Sequence, residues 1–293
     1  MSWRVVMVSK PSKLDYSMGY LAVRDTETTN KVYLSEISVL IIENTACSVT
    51  AALLSKLLEK KIKVIFCDEK RNPCGELVPF YGSHDTSRKL RRQIRWEENA
   101  KQAVWTRIVG EKIQNQGRLL RRLGLEEYRL LEGYRDELEF NDVTNREGHA
   151  AKVYFNALFG KDFSRDKDCA VNAALNYGYS LLLSAVNREI CANGYLTQLG
   201  IFHDNVFNQF NLSCDLMEPF RPLVDHHVKT AEPRGFGKEE KAALLNLLNK
   251  EVTVDGNRSV LLHALELYTR SVLDAIDHGE PERILFPEIR YEL

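Results

Sequence analysis

The sequence has no surplus of charge of either sign. Forty Lys and Arg face 41 Asp and Glu in 293 residues, for a net charge of −1 and a pI of about 6.7. That excludes a uniformly basic nucleic-acid binder, though not a local basic stripe. Long apolar runs are also missing. None reaches the roughly 18 residues that mark a membrane span, so no membrane association is expected. The start, Met1-Ser2-Trp3-Arg4-Val5-Val6, lacks the layout of a signal peptide, and a cytoplasmic location is expected. The six cysteines, at 47, 67, 74, 169, 191 and 214, never come closer than seven residues. This excludes the C-x-x-C knuckles of a structural zinc site and argues for free thiols rather than a disulfide scaffold. There is no G-x-S-x-G elbow, no G-x-x-x-x-G-K-[ST] loop and no H-E-x-x-H helix. Internal repeats and low-complexity tracts are absent.

What is present divides into two halves. The first ~85 residues read as β-rich, with strands expected at 3–8, 19–24, 32–37 and 38–42, and again at 63–67. The polar link from Asp25 to Lys31 reads as a hairpin connection. A helix is expected near 51–58, with Ser48 or Thr50 as N-cap. From 85 onward the pattern is helical, with helices expected near 86–109, 111–123, 126–138, 145–158, 168–192, 214–229, 238–249 and 259–277. Gly110, Gly124, Gly160, Gly194 and Gly279 stand where C-cap glycines would. The expected fold class is therefore α+β: a β-rich domain over 1–84 and a larger all-α domain over 85–293.

Three patches carry candidate chemistry. Glu147, in Asn145-Arg146-Glu147-Gly148-His149-Ala150-Ala151, falls in the first turn of an expected helix, where a glutamate commonly serves the helix dipole or a cap. His149 points about 200° away from it. His203, in Gly200-Ile201-Phe202-His203-Asp204-Asn205, lies in a polar break and reads as a cap, a surface residue or a ligand. Asp215 and Glu218 share one face at i and i+3, with Asn211 or Ser213 as caps. They stand beside Leu212, Leu216, Met217 and Phe220. A carboxylate against an apolar wall needs a cation, and a metal or Arg221 could supply one. Arg221 could equally pair with Asp215 or a phosphate. The adjacent His226 and His227 point about 100° apart, so one shared ion is not expected, and the pair reads as a solvated helix face.

Arg88, Arg91, Arg92 and Arg95 fall within about a third of a helix circumference. Guanidinium forks suit phosphate oxygens, which makes this stretch the leading DNA-backbone candidate. Arg118, Arg121 and Arg122 form a second basic cluster, and Lys60, Lys61 and Lys63 a third.

The phrases around Glu147 and from Asp215 to Pro222, with the order Glu, His, Glu at separations of 56 and 15 residues, resemble the CRISPR-associated integrase family, the larger subunit of the spacer-acquisition machinery. The resemblance covers nearly the whole chain and looks nearest to the type II-A members. Asn172 to Leu181 also resembles a family helix near the site, with Tyr177 either touching DNA or sitting in the core. The resemblance implies that Glu147, His203 and Glu218 are catalytic metal ligands, with Asp215 an auxiliary acid. Glu218 replaces the aspartate many members carry. It further implies a Mg2+- or Mn2+-dependent enzyme that inserts short DNA segments into a CRISPR repeat array by 3′-hydroxyl transesterification. Its expected partners are double-stranded DNA, a second copy of the chain and a small ferredoxin-like subunit in a heterohexamer. The type II-A effector nuclease and a ring-shaped DNA-end-binding protein are further expected associates. The alternatives are a non-catalytic DNA-binding scaffold, in which the acids are caps, or a general metal-dependent nuclease.

Overall fold

A computed structural model of the chain describes residues 4–69, 71, 73–79 and 83–291. Residues 1–82 and 83–293 form two compact units.

The first unit holds strands β1 (Arg4–Val8), β2 (Lys13–Ser17), β3 (Tyr20–Arg24), β4 (Thr29–Tyr33), β5 (Ile37–Ile42) and β6 (Ser48–Val49). Helix α1 (Ala51–Glu59) and strands β7 (Lys63–Cys67) and β8 (Pro73–Leu77) follow. One sheet has the order β1-β5-β7-β8, with β8 antiparallel to β7 and the rest parallel. The other, β4-β3-β2-β6, is an antiparallel meander to which β6 adds in parallel. β5 is buried at all six positions, which is why it reads as an unbroken apolar run rather than an alternating one. The core joins Leu14 and Leu21 of one sheet to Leu40 and Val64 of the other, with Leu53 and Leu57 of α1. Trp3, expected in the first strand, lies outside the described residues. The β3–β4 turn is tighter than the Asp25–Lys31 link, because the Asp25 carboxylate accepts from the backbone of Glu27 and Thr28 at 2.9 and 2.6 Å. Thr50 caps α1, its hydroxyl accepting from Leu53 N at 3.3 Å. The supposed basic cluster at 60–63 does not form a face. Lys63 is buried and ion-paired with Glu76, while Lys60 and Lys61 are exposed.

The second unit contains α2 (Thr86–Gln93), α3 (Glu98–Arg122), α4 (Tyr128–Asp136), α5 (Arg146–Phe159), α6 (Ala170–Ala192) and α7 (Asn211–Met217). A 3-10 turn (Glu218–Phe220), α8 (Arg221–Ala231), α9 (Lys238–Asn246), β9 (Glu251–Val254), β10 (Asn257–Val260) and α10 (Leu261–His278) complete it. α3 is its axis and packs against α4, α5, α8, α10 and the 3-10 turn. The break expected at Gly110 is absent, since that residue lies inside α3. The chain breaks instead at 94–97, where Glu97 is extended. Distant groups pin that corner: Gln93 exchanges hydrogen bonds with the Leu196 backbone at 2.8 Å each way, and Trp96 Nε1 donates to Asp277 at 2.8 Å. Gly124, Gly160, Gly194 and Gly279 do end helices with positive φ. The helix expected over 214–229 is three pieces, because Pro219 and Pro222 lack the amide hydrogens that would continue it. At Gly178 an added Cβ would lie 2.4 Å from Val224 Cγ1, so α6 and α8 meet where only glycine fits.

Candidate metal centre and nucleic-acid surface

Local caps place Glu147. Asn145 sits in the left-handed region at φ 53° and accepts from Gly148 N at 3.3 Å. Asp142 accepts from Arg146 N and Glu147 N at 2.6 and 3.0 Å. These bonds satisfy the free amides of the α5 N-terminus, and leave the Glu147 side chain directed at α3. There it meets the ammonium of Lys112, which also contacts Glu218 Oε2. The other Glu218 oxygen accepts from Arg221 Nε at 2.8 Å. Two carboxylates, one from α5 and one from the 3-10 turn, thus converge on a single cation. Burial alone would raise the carboxyl pKa of Glu218, but Lys112 and then Arg221 outweigh it and hold it at about 2. Lys112 is buried, which disfavours its charge, yet the two glutamates keep it protonated and move its pKa up.

His203 is set by Asp215. The buried carboxylate of Asp215 accepts from the backbone of Ile201 at 2.6 Å, Phe202 at 3.2 Å and His203 at 3.0 Å, and pairs with His203 Nδ1 at 2.6 Å. Four contacts on one carboxylate fold the loop and fix the ring, leaving Nε2 as the nitrogen not engaged by Asp215. The hydrogen bond to Asp215 raises the His203 pKa, against the effect of partial burial. Gly200 closes the loop: an added Cβ would stand 2.2 Å from His203 O and 2.8 Å from Asp215 Oδ2. Phe202 stacks on Trp105 of α3 at 4.4 Å and 3°. His203 lines a cleft of about 530 Å³ with Trp96, Lys101, Asn141 and Phe202.

Glu218 and His203 feel each other electrostatically, and Glu218 and Glu147 share Lys112. As the side chains stand, no three His, Cys, Asp or Glu groups among the described residues are close enough to hold an ion. Glu218 Oε2 nevertheless tests the fit. It is buried and accepts no well-formed hydrogen bond, so it is a hard oxygen facing a cation without a directional partner. With Glu147 Oε1 it suits a hard divalent ion.

Several sequence readings change. Arg221 pairs with Glu218, not with Asp215. Asn211 does not cap α7 from its N-cap position; it starts the helix and bonds Gln198 O and Asn205 O at 3.1 Å. His226 is buried against Tyr291 at 5.3 Å and His227 is half-buried, so the pair is no solvated face. Burial pushes His226 down to about 4. Tyr177 is buried beside Phe236 at 5.6 Å. His149 lies against Tyr134 at 6.1 Å. Lys112 is a site residue that sequence reasoning missed, although it breaks the apolar register of Ile108, Val109 and Ile113 on the buried face of α3.

The four candidate arginines are exposed and line a cleft of about 940 Å³ with Trp96, Asn99 and His278. They are not equivalent. Arg88 pairs with Asp85 at 2.6 Å and Arg92 with Asp277 at 2.6 Å. The side chains of Arg91 and Arg95 have no hydrogen-bond or ion-pair partner among the described residues. In the second cluster, Arg118 bonds Asn115 at 3.0 Å, Arg121 pairs with Glu132 and Arg122 Nε donates to Tyr291 O at 2.8 Å.

Comparison with known proteins places this geometry in context. The sequence profile described as CRISPR associated protein Cas1 matches residues 5–246. CRISPR-associated endonuclease Cas1 of Neisseria meningitidis serogroup C is 34% identical over 295 residues, covering 99% of this chain and 97% of that protein. Among solved structures, a casposase bound to integration product superposes with a TM-score of 0.76 at 18% identity, over 95% of this chain and 91% of that one. A Cas6-RT-Cas1–Cas2 complex gives a TM-score of 0.74 at 18% identity; it covers 99% of this chain, which spans 36% of that longer one. At such identities the structural likeness is one of fold.

Proposed function

We propose, because the chain belongs to the CRISPR-associated protein Cas1 family, that it is the endonuclease and integrase of CRISPR spacer acquisition. Its reaction joins the 3′-hydroxyl of a short DNA segment to a phosphate of the repeat array. The attacking 3′-hydroxyl gives up its proton as its oxygen forms the new P–O bond, the P–O bond of the target strand breaks, and the departing 3′ oxygen takes up a proton in exchange. The observation that carries the active-site reading is the convergence of Glu147 and Glu218 on one cation.

Glu147 Oε1, Glu218 Oε2 and His203 Nε2 would hold a divalent ion, Mg2+ or Mn2+. Bound there, the ion's contribution is polarisation of the scissile phosphate and stabilisation of charge on the attacking and leaving oxygens. Arg221 orients Glu218 and leaves Oε2 turned inward. Asp215 accepts at His203 Nδ1 and so favours, in the neutral imidazole, the tautomer whose lone pair is on Nε2. The Trp105–Phe202 stack walls the histidine on one side. Arg91 and Arg95, whose side chains have no partner among the described residues, would bind DNA phosphates.

We assign residues 85–293 to catalysis and 1–84 to formation of a homodimer. By analogy with the Cas1–Cas2 assembly, a small Cas2 subunit would bridge two such dimers into a heterohexamer. The type II-A effector nuclease and the ring-shaped DNA-end-binding protein belong to the same proposal, as does a cytoplasmic location. No helix among the described residues is long and apolar enough to cross a membrane.

A strand-transfer assay tests the reading, with the small subunit, a repeat-bearing plasmid and a chelator control. Joined product that disappears with chelator and in Glu147→Ala supports it. Joining retained in Glu147→Ala would favour a scaffold, and nicking of unrelated DNA without joining would favour a general nuclease.

A further inference from the structure

We infer that Lys112 is a built-in counter-ion of the metal centre, which holds Glu147 and Glu218 together before a divalent ion arrives and which that ion must displace. The inference rests on the ligand reading above and adds the step by which the site is loaded. Its basis is geometric. Lys112 projects from the middle of α3, is buried, and its ammonium touches one oxygen of each glutamate. The oxygen it occupies on Glu218 is the one without a directional hydrogen bond, since Arg221 takes the other. A metal bound to the same two oxygens and the ammonium cannot share the space.

The arrangement has a physical purpose. Two glutamates facing each other across a buried gap would repel, and each would be costly to keep charged without a partner. A lysine on a flexible four-carbon stem supplies the charge and can swing away, which a planar guanidinium forked onto both carboxylates would do less readily. Freed from the glutamates, the ammonium stays on α3 within reach of whatever anion the centre binds. Lys112 is therefore a positioning residue of the empty centre and a competitor of its ion.

The test is Mn2+ binding to the full-length protein, followed by electron paramagnetic resonance, for wild type, Lys112→Met and Lys112→Arg. Removing a unit positive charge a few ångströms from the ion should tighten Mn2+ binding at least about tenfold in Lys112→Met. Lys112→Arg should bind no tighter than wild type. A second measurement needs no variant: amine acylation of wild type followed by peptide mass spectrometry. Labelling of Lys112, relative to Lys101 on the same helix, should rise when Mn2+ replaces chelator. Mn2+ binding to wild type with no tightening in Lys112→Met overturns the role given to Lys112. If that variant does not fold, unchanged labelling of wild type overturns it. Absence of Mn2+ binding in both wild type and Lys112→Met overturns the ligand reading instead.

Discussion

The acid centre and the arginine cleft of the helical unit carry charge in opposite ways. At the centre, Lys112, Glu218 and Arg221 lie largely out of water and neutralise one another, with Glu147 half-buried at the edge. In the cleft, four arginines are exposed, and among the described residues acids match Arg88 and Arg92 but not Arg91 or Arg95. Compensated burial makes stability and chemistry share the same atoms, whereas exposure lets binding charges change with little effect on the fold.

That contrast can be broken most violently at Glu218. Glu218→Ala leaves Lys112 and Arg221 without their carboxylate, so it should abolish strand joining and also lower unfolding free energy by about 3–5 kcal/mol, as for other broken buried pairs. Chemical denaturation beside the joining assay checks both. Glu147→Ala should abolish joining with a smaller loss of stability, because Glu147 is more exposed. Equal losses in the two variants would mean that burial does not set the cost.

Gly200→Ala comes next. The added methyl cannot fit beside His203 O and Asp215 Oδ2, so the loop must shift. Joining should fall at least about tenfold, with a stability loss of about 1–3 kcal/mol. Normal joining would show that the Asp215 loop does not position His203.

A pH series sharpens the buried side of the comparison. The folded carboxyl of Glu218 titrates at about 2 against an ordinary 4.5. Its stabilisation is therefore complete above about pH 4.5 and is lost as pH falls toward 2. The acid limb of the stability curve in that window should be shallower in Glu218→Gln than in wild type, measured by the denaturation midpoint at each pH.

The exposed side should give the smallest change in stability. Arg91→Gln with Arg95→Gln should leave unfolding free energy within about 0.5 kcal/mol. The slope of log affinity for duplex DNA against log salt should become shallower by roughly 0.9 for each phosphate that the variant no longer neutralises. Arg92→Gln should do the reverse, since Arg92 pairs with a nearly buried Asp277 that also binds Trp96 and Tyr195. An unchanged slope in the double variant would move the DNA surface elsewhere.

What the sequence made legible was local. The cap at Thr50, the glycines closing four helices and the apolar run of β5 each follow from a few neighbouring residues. The positions of Glu147, His203 and Glu218 were picked out by family resemblance, because each alone reads as an ordinary cap or surface group. What stayed hidden depends on distant partners. Lys112 acquires its meaning only from glutamates 35 and 106 positions later in the chain. Arg92 looked like its neighbours until Asp277 met it. The α2–α3 corner depends on Leu196 and Asp277 rather than on Gly110. The β9–β10 hairpin is different in kind: Asp255-Gly256 is a local turn signal, with φ of 48° and 73°, set between two strongly helical segments.

Anomalous diffraction from crystals grown with Mn2+ would locate the ion relative to Lys112, Glu147 and Glu218. One strong peak is expected between Glu147 and Glu218 Oε2, beside His203 Nε2, with the Lys112 ammonium moved off both carboxylates. At saturating Mn2+, a map in which Lys112 still bridges the two glutamates and the ion lies elsewhere would contradict that expectation.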